Sequence, residues 1–110
     1  MAWQPITDED FARFFAEERA SLTPQATELL SSFGIEPQRV RFQRFGNDEA
    51  AFIVARSGRV AVLFDDVEEM FGCGVLNADA SVLDEWWTYG PLQVALQELP
   101  RDATHRQDAV

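Results

Sequence analysis

The side chains that could do chemistry lie mostly between Val60 and Pro100, a stretch that contains no Lys, Arg or His. Its acids are Asp65, Asp66, Glu68, Glu69, Asp79, Asp84, Glu85 and Glu98, and its largest aromatic residues are Trp86, Trp87 and Tyr89. Phosphate recognition needs Lys and Arg on the contact face, so such a surface disfavours nucleic acid and anionic membranes. It suits a basic protein partner instead.

The run from Asp65 to Glu69 could in principle hold a divalent cation or a general acid and base pair. An EF-hand loop needs acids at alternating positions, Gly at the sixth and Glu at the twelfth, and this run has a different spacing. Charge runs of this kind are usually solvated surface. We therefore predict an acidic loop or strand end, with no metal and no cofactor.

Nucleophilic catalysis finds little support in the sequence. The single histidine, His105, falls in a polar C-terminal segment, and Cys73 has no neighbouring base or cation to lower the pKa of its thiol. A free cysteine without such neighbours is usually a small buried apolar residue. Because no glycine-rich phosphate loop is present either, we predict that the chain is not an enzyme and has no catalytic residues.

Composition limits the class of protein further. The 110 residues include 9 basic residues, all Arg, and 19 acidic ones, giving a net charge of −10. Nucleic-acid binding would rest on Arg39, Arg41 and Arg44 against that net charge, which disfavours it. One cysteine, no signal-peptide pattern and no long apolar run predict a cytoplasmic protein without a membrane span. The oligomeric state is left open.

Two helix starts precede the strands. Thr7 is followed by three acids that suit the positive end of a helix dipole, and Thr23 is followed by Pro24 in the first turn. Gly34 is expected to end the second helix in the left-handed conformation. The apolar residues expected to face the core are Phe11, Phe14 and Phe15 in the first helix and Leu29, Leu30 and Phe33 in the second.

Beyond Pro37 the apolar period changes from helical spacing to two, which is typical of half-buried strands. The expected strands lie at 39–43, 50–55 and 60–64, with turns at Gly46-Asn47-Asp48 and Ser57-Gly58. A fourth, glycine-bearing strand is expected around 70–75. Together they predict an antiparallel meander.

Residues 81–89 fit two structures equally well. A helix capped by Ser81 would place Trp86 and Trp87 on one buried face, whereas a strand would point them to opposite faces. In the strand, one Trp would become a contact residue unless something covered it. The sequence does not decide between them.

The whole pattern predicts an α+β fold with two N-terminal helices, an antiparallel sheet of four or five strands and a short C-terminal helix. In that last helix, which Gly90-Pro91 opens, the residues expected to face inward are Leu92, Val94, Ala95 and Leu99. Residues 1–100 are expected to form one domain, and 101–110 a disordered tail.

In size, acidity and lack of catalytic residues the chain resembles the small immunity proteins of bacterial polymorphic toxin and contact-dependent inhibition systems. The stretches Phe64–Glu69 and Trp87–Gly90 are similar to patterns in small bacterial proteins, but no site residue is carried over from them. The resemblance implies tight binding to a toxin domain that blocks its active site or an essential surface.

On this hypothesis, acidic side chains steer a basic toxin and aromatic side chains anchor it. The expected partner-binding residues are Asp65, Asp66, Glu68, Glu69, Trp86, Trp87 and Tyr89. Two alternatives remain: a self-associating regulatory or scaffold domain, and an enzyme that works with carboxylates alone.

Overall fold

The computed structural model describes residues 6–44, 46–66, 68–79 and 81–99, apart from the side chains of residues 44, 47, 48, 88 and 89. The elements in chain order are α1 (Asp8–Ala20), α2 (Pro24–Phe33), β1 (Gly34–Arg44), β2 (Asn47–Ser57), β3 (Val60–Asp65), β4 (Met70–Leu76), β5 (Leu83–Gly90) and α3 (92–99). The predicted α+β fold is confirmed, with five strands. The expected tail at 101–110, including His105, lies outside the described residues.

Both helix starts form as the sequence predicts. The Thr7 hydroxyl accepts a hydrogen bond from the Asp10 N–H at 3.1 Å, and the Thr23 hydroxyl accepts one from the Ala26 N–H at 3.2 Å. Each bond satisfies a backbone donor that the first turn of a helix leaves without a partner. Thr7 and Thr23 therefore fix where α1 and α2 begin.

The expected left-handed end of α2 is wrong. Gly34 has φ −63° and ψ 145°, which is extended backbone that leads directly into β1. A Cβ atom at this position would lie 2.4 Å from the carbonyl oxygen of Leu30. Glycine is needed here because the backbone passes close to the helix, and not because its φ is positive.

The sheet has the order β1-β2-β3-β4-β5, with every neighbouring pair antiparallel. Arg44 pairs with Asn47, and Ser57 pairs with Val60, so both hairpins are tight. Gly46 (φ 80°) and Gly58 (φ 61°) supply the positive φ that such tight turns require. Asn47 and the following residue, predicted to lie in the turn, already belong to β2.

The two edge strands of the sheet approach each other. Arg41 of β1 and Val82, just before β5, form a parallel bridge, and the Arg41 N–H points to the Ser81 carbonyl oxygen at 3.5 Å. The sheet is thus curled, with a concave face that encloses side chains and a convex face that carries helices.

The convex face holds the larger of two hydrophobic clusters, here called the helix-side core. Its buried residues are Phe11, Phe15, Ala26, Phe52, Val54, Ala55, Val60, Val62, Phe64, Phe71, Cys73, Leu92, Ala95, Leu96 and Leu99. Phe11 of α1 stacks on Phe52 of β2 with ring centroids 4.1 Å apart, and Phe14 packs on Phe64 at 5.1 Å. The predicted burial of the α1 aromatic stripe is confirmed, with Phe14 half-buried.

Two details of the helices differ from expectation. Val94 of α3 is 38% exposed, and Leu96 takes the inward position instead. In α2 only Ala26 is buried, whereas Leu29, Leu30 and Phe33 are half-buried at the margin of the helix-side core. The apolar face of α2 is therefore only partly covered by the rest of the described chain.

The concave face holds the second cluster, here called the inner core. Its buried residues are Val40, Phe42, Ala51, Ile53, Ala61, Leu63, Leu76 and Leu83. The curled sheet buries them by closing on itself. Phe42 of β1 meets Trp86 of β5 edge to face, with ring centroids 5.0 Å apart and an interplanar angle of 71°, which joins the two ends of the sheet.

Candidate partner-binding surface

Residues 83–90 form a strand, which decides the alternative that the sequence leaves open. Trp86 lies opposite Gly74 and Trp87 lies opposite Cys73 in the β4–β5 register, so the two indoles point to opposite faces of the sheet. Trp87 packs against the helix-side core and Trp86 against the inner core. Both are half-buried, so each Trp covers a core and keeps part of its surface in solvent.

Tyr89, the third predicted aromatic contact, is described only in its backbone. It sits at an irregularity where Gly72 pairs with Thr88 and Phe71 pairs with Gly90, so Tyr89 is the extra residue on β5. Because β4 follows the β3–β4 hairpin, this bulge lies at the same end of the sheet as that hairpin. The aromatic and acidic stretches of the sequence are therefore neighbours in the fold.

The predicted acidic run forms the β3–β4 hairpin, which Asp65 and Met70 close as a pair. Asp65 is only 1% exposed, and its Oδ1 accepts a hydrogen bond from the Glu68 N–H at 3.3 Å. Its carboxylate therefore organises the turn from inside and offers almost no surface to a partner. Glu69 has φ 56°, a left-handed conformation that reverses the chain before β4.

Asp66 also has a structural role. Its Oδ2 accepts a hydrogen bond from the Ile6 N–H at 2.7 Å, across 60 positions of sequence. Asp66 is half-buried, whereas Glu68 and Glu69 are exposed. Glu68 and Glu69 are thus the more exposed pair among the four predicted acids.

The bond from Ile6 to Asp66 brings two acidic runs together. Ile6 immediately precedes α1, whose first turn carries Asp8, Glu9 and Asp10, all exposed. The resulting surface, here called the acidic end, consists of Asp8, Glu9, Asp10, Asp66, Glu68 and Glu69. From the sequence, the three acids of α1 are expected only to stabilise the start of the helix. Their place beside the hairpin makes them functional candidates as well.

Two arginines neutralise part of the acidic end. Arg13 pairs with Asp10 at 3.7 Å, and Arg39 donates from Nε to Asp8 Oδ1 at 2.9 Å. Arg39 also donates to the Ile6 carbonyl oxygen at 2.8 Å and lies 4.4 Å above the Phe52 ring centroid. Arg39 of β1 thus holds the entry to α1 against the sheet. The acids of the acidic end still outnumber these two paired arginines.

Cys73 is a buried residue of β4, as the sequence predicts. Its Sγ donates to the Ala95 carbonyl oxygen of α3 at 3.3 Å. The thiol therefore links the sheet to the C-terminal helix inside the helix-side core.

The described part of the chain contains no group of three or more His, Cys, Asp or Glu side chains placed to hold a metal ion. Nor does any helix in it have both the length and the apolar character needed to cross a bilayer.

In the loop between β4 and β5, hydrogen bonds from the Ser81 hydroxyl and N–H hold the pKa of the Asp79 carboxyl below its ordinary value. The Asp79 carboxylate therefore stabilises the loop in which it lies.

No protein-family model, curated protein or solved structure matches this chain. The structure itself shows an α+β domain with a curled antiparallel sheet and an acidic end. Any assignment of function has to rest on that geometry and on the distribution of charge.

Proposed function

We propose that this chain is a non-enzymatic protein-binding domain, an immunity protein that binds a cognate toxin in the cytoplasm and neutralises it. The observation that carries the proposal is the acidic end, which the fold assembles from α1 and the β3–β4 hairpin. The bond from Ile6 to Asp66 supports it as a preformed surface, because the two acidic runs are tied together before any partner arrives.

Charge supports a basic partner. A surface with excess carboxylates attracts cationic proteins from a distance and raises the rate at which they collide productively. Many toxin domains that act on nucleic acid must carry a basic face, since their substrate is a polyanion. An acidic surface that occupies such a face would block substrate access without any chemistry of its own.

Aromatic anchoring belongs to the same proposal. β5 ends beside the acidic hairpin, where Phe71 pairs with Gly90, and its half-buried Trp87 lies a few residues back along that strand. Aromatic side chains of this kind often supply much of the affinity once charges have aligned two proteins. Trp87 and Tyr89 are therefore the anchors that we propose, with Glu68, Glu69 and Glu9 as the steering charges.

The test begins with the product of the reading frame adjacent to the gene for this chain, since immunity genes and toxin genes are neighbours. That product expressed alone should arrest growth, and co-expression with this chain should restore it. Replacing Glu9, Glu68 and Glu69 by Lys should lower the association rate constant by about tenfold or more at low ionic strength, with a smaller loss at high ionic strength.

A matched control separates a local effect from a change of net charge. Replacing Glu17, Glu28 and Glu85 by Lys alters the charge equally, and these exposed residues lie away from the acidic end. Equal association rates for the two triple variants would contradict the role of the acidic end. An adjacent product that neither binds this chain nor is neutralised by it would overturn the immunity assignment.

A further inference from the structure

An open apolar groove runs along the side of α1 that faces α2 and the start of β1. Its central part has a volume of about 500 Å³. The floor is apolar and includes Phe15, Val54, Leu30 and Ile35, while Arg19 and Glu36 stand on its rim. We call it the α1 groove.

The groove continues beyond both charged residues. Past Arg19 it reaches Leu22 and Thr27, and past Glu36 it reaches Asp8 and Phe52. Arg19 lines the first extension and Glu36 the second, so the two charges stand at opposite ends of the central part. The central part is therefore mainly apolar, with Arg19 at one end and Glu36 at the other. Both extensions carry polar side chains, and Arg39, which pairs with Asp8, lies in the one past Glu36.

Arg19 differs in its contacts from three other arginines of the chain. Arg13, Arg39 and Arg59 each pair with an Asp, whereas Arg19 forms no salt bridge with any described residue. Its guanidinium lies 5.7 Å from the centroid of the Phe15 ring, which also lines the groove. In a chain with 19 acids and 9 bases, a cation held over an aromatic floor without a carboxylate partner is available to an outside anion.

We infer that the α1 groove binds a small amphipathic carboxylate, with its apolar body on the half-buried Leu30 and Ile35 and the edge of Phe15, and its carboxylate on Arg19. Guanidinium groups bind carboxylates through paired hydrogen bonds that are stronger than those between neutral groups. Glu36 repels a carboxylate at the other end, so the ligand has one favoured orientation. The central volume is within the roughly 300–1,000 Å³ of small-molecule sites.

The inference does not depend on the proposed function. The acidic end involves the N-terminal turn of α1 and the β3–β4 hairpin, whereas the α1 groove has its anion-binding end at Arg19, in the last turn of the helix. Asp8 belongs to the acidic end and also lines the extension past Glu36. The side chains of the central part that we assign to the ligand are not members of the acidic end.

A matched pair of probes tests the charge requirement on the native chain. 8-Anilinonaphthalene-1-sulfonate has an aromatic body and an anionic head, and N-phenyl-1-naphthylamine has the same body without the charge. Both probes fluoresce more strongly in an apolar site, so titration gives a dissociation constant for each. Wild-type protein should bind the sulfonate at one saturable site and more tightly than the neutral amine.

Two variants locate that site. Arg19→Gln should weaken sulfonate binding by about tenfold or more, the size expected for losing a charged hydrogen-bonded pair, with neutral-amine binding unchanged. Ala16→Glu, an exposed change in the groove wall, should weaken binding of both probes. Arg13→Gln is the control, since Arg13 is exposed on the same helix and does not line the groove.

A competition experiment extends the result to carboxylates. 1-Naphthylacetate should displace the sulfonate, and 2-(1-naphthyl)ethanol should need a concentration about tenfold higher or more. Circular dichroism of each variant in the near ultraviolet establishes that the tertiary fold is kept. The proposal is overturned if Arg13→Gln and Arg19→Gln lose sulfonate binding equally, or if the wild type shows no saturable site. Sedimentation showing that the wild type dimerises and that Ala16→Glu protein stays monomeric would overturn it too.

Discussion

Neighbouring acids of one sequence run occupy three different environments in the β3–β4 hairpin. Asp65 is buried, Asp66 binds the Ile6 N–H, and Glu68 and Glu69 are exposed. A carboxylate that accepts backbone hydrogen bonds in the interior stabilises the fold, whereas an exposed one mainly sets the field outside it. Mutations of these acids should therefore divide into losses of stability and losses of association.

Replacing Asp65 by Ala should lower the free energy of unfolding by about 1–3 kcal/mol, because the Glu68 N–H loses its acceptor and the site is left partly empty. Asp65→Asn should cost less, since the amide oxygen can still accept. Urea denaturation followed by circular dichroism measures both. Glu17→Gln, an exposed loss of the same charge, should leave the stability nearly unchanged, and an equal effect of all three changes would refute a structural role for Asp65.

At the residue scale, the sequence predicts those features of the fold that depend on hydrogen bonds between residues close together in the chain. Thr7 and Thr23 cap the helices because the acceptor and the N–H that it binds are three positions apart. Gly34 shows the limit of that approach. A glycine after a helix usually serves a left-handed turn, but here the Leu30 carbonyl oxygen excludes a Cβ, a contact that depends on the path of β1.

At the scale of elements, β5 forms as a strand because β4 provides a free edge for it. The residues around the two Trp satisfy helical and extended patterns equally, so local preference cannot decide the structure. Pairing with β4 adds the backbone hydrogen bonds of a ladder and lets each indole cover a different core. That outcome depends on contacts between residues far apart in the chain, which local sequence patterns do not encode.

Gly74 is a position where this pairing is sensitive to added volume. A Cβ there would lie 2.7 Å from the Glu85 carbonyl oxygen and 2.8 Å from Leu83 Cδ2. We expect Gly74→Ala to destabilise the fold by about 1–3 kcal/mol, since β4 and β5 must separate to admit the methyl group. Thermal unfolding would measure the loss, with the exposed change Ser32→Ala as control. An unaltered midpoint for Gly74→Ala would show that the two strands are not closely packed.

At the scale of the whole molecule, one sheet separates two cores. Neighbouring residues of β3 alternate between them, with Val62 in the helix-side core and Leu63 in the inner core. A strand cannot leave one core while remaining in the other. The two clusters are therefore expected to unfold as a single cooperative unit.

The two indoles can report on the two cores separately. In a Trp3→Phe background, Trp86→Phe leaves Trp87 as the only Trp, and Trp87→Phe leaves Trp86. Fluorescence and circular dichroism should give coincident urea transitions within each variant, as expected of two-state unfolding. An early transition seen only through Trp86 would mean that the inner core opens by itself.

The acidic end is the part of the candidate site that the sequence could not supply. The acids of the hairpin are evident in the sequence because they are nearly consecutive, and those of α1 because they form the first turn of a helix. Their proximity comes from Ile6 and Asp66, which are 60 positions apart. Similarly, the inner core could not be predicted, since it depends on the curl that brings β1 to β5.

That curl has a consequence for how the protein behaves at high concentration. Open sheet edges are templates on which strands of other molecules can pair and build aggregates. Here the bridge from Arg41 to Val82 occupies the edge of β1 at Arg41 and brings it against the residue just before β5. The earlier part of β1 is interrupted by an irregularity that contains Glu36 and Pro37, and Pro37 has no N–H to donate. Among the described residues, the open part of the β1 edge is therefore shorter than the strand itself, which limits where another copy could begin a fibre on that side.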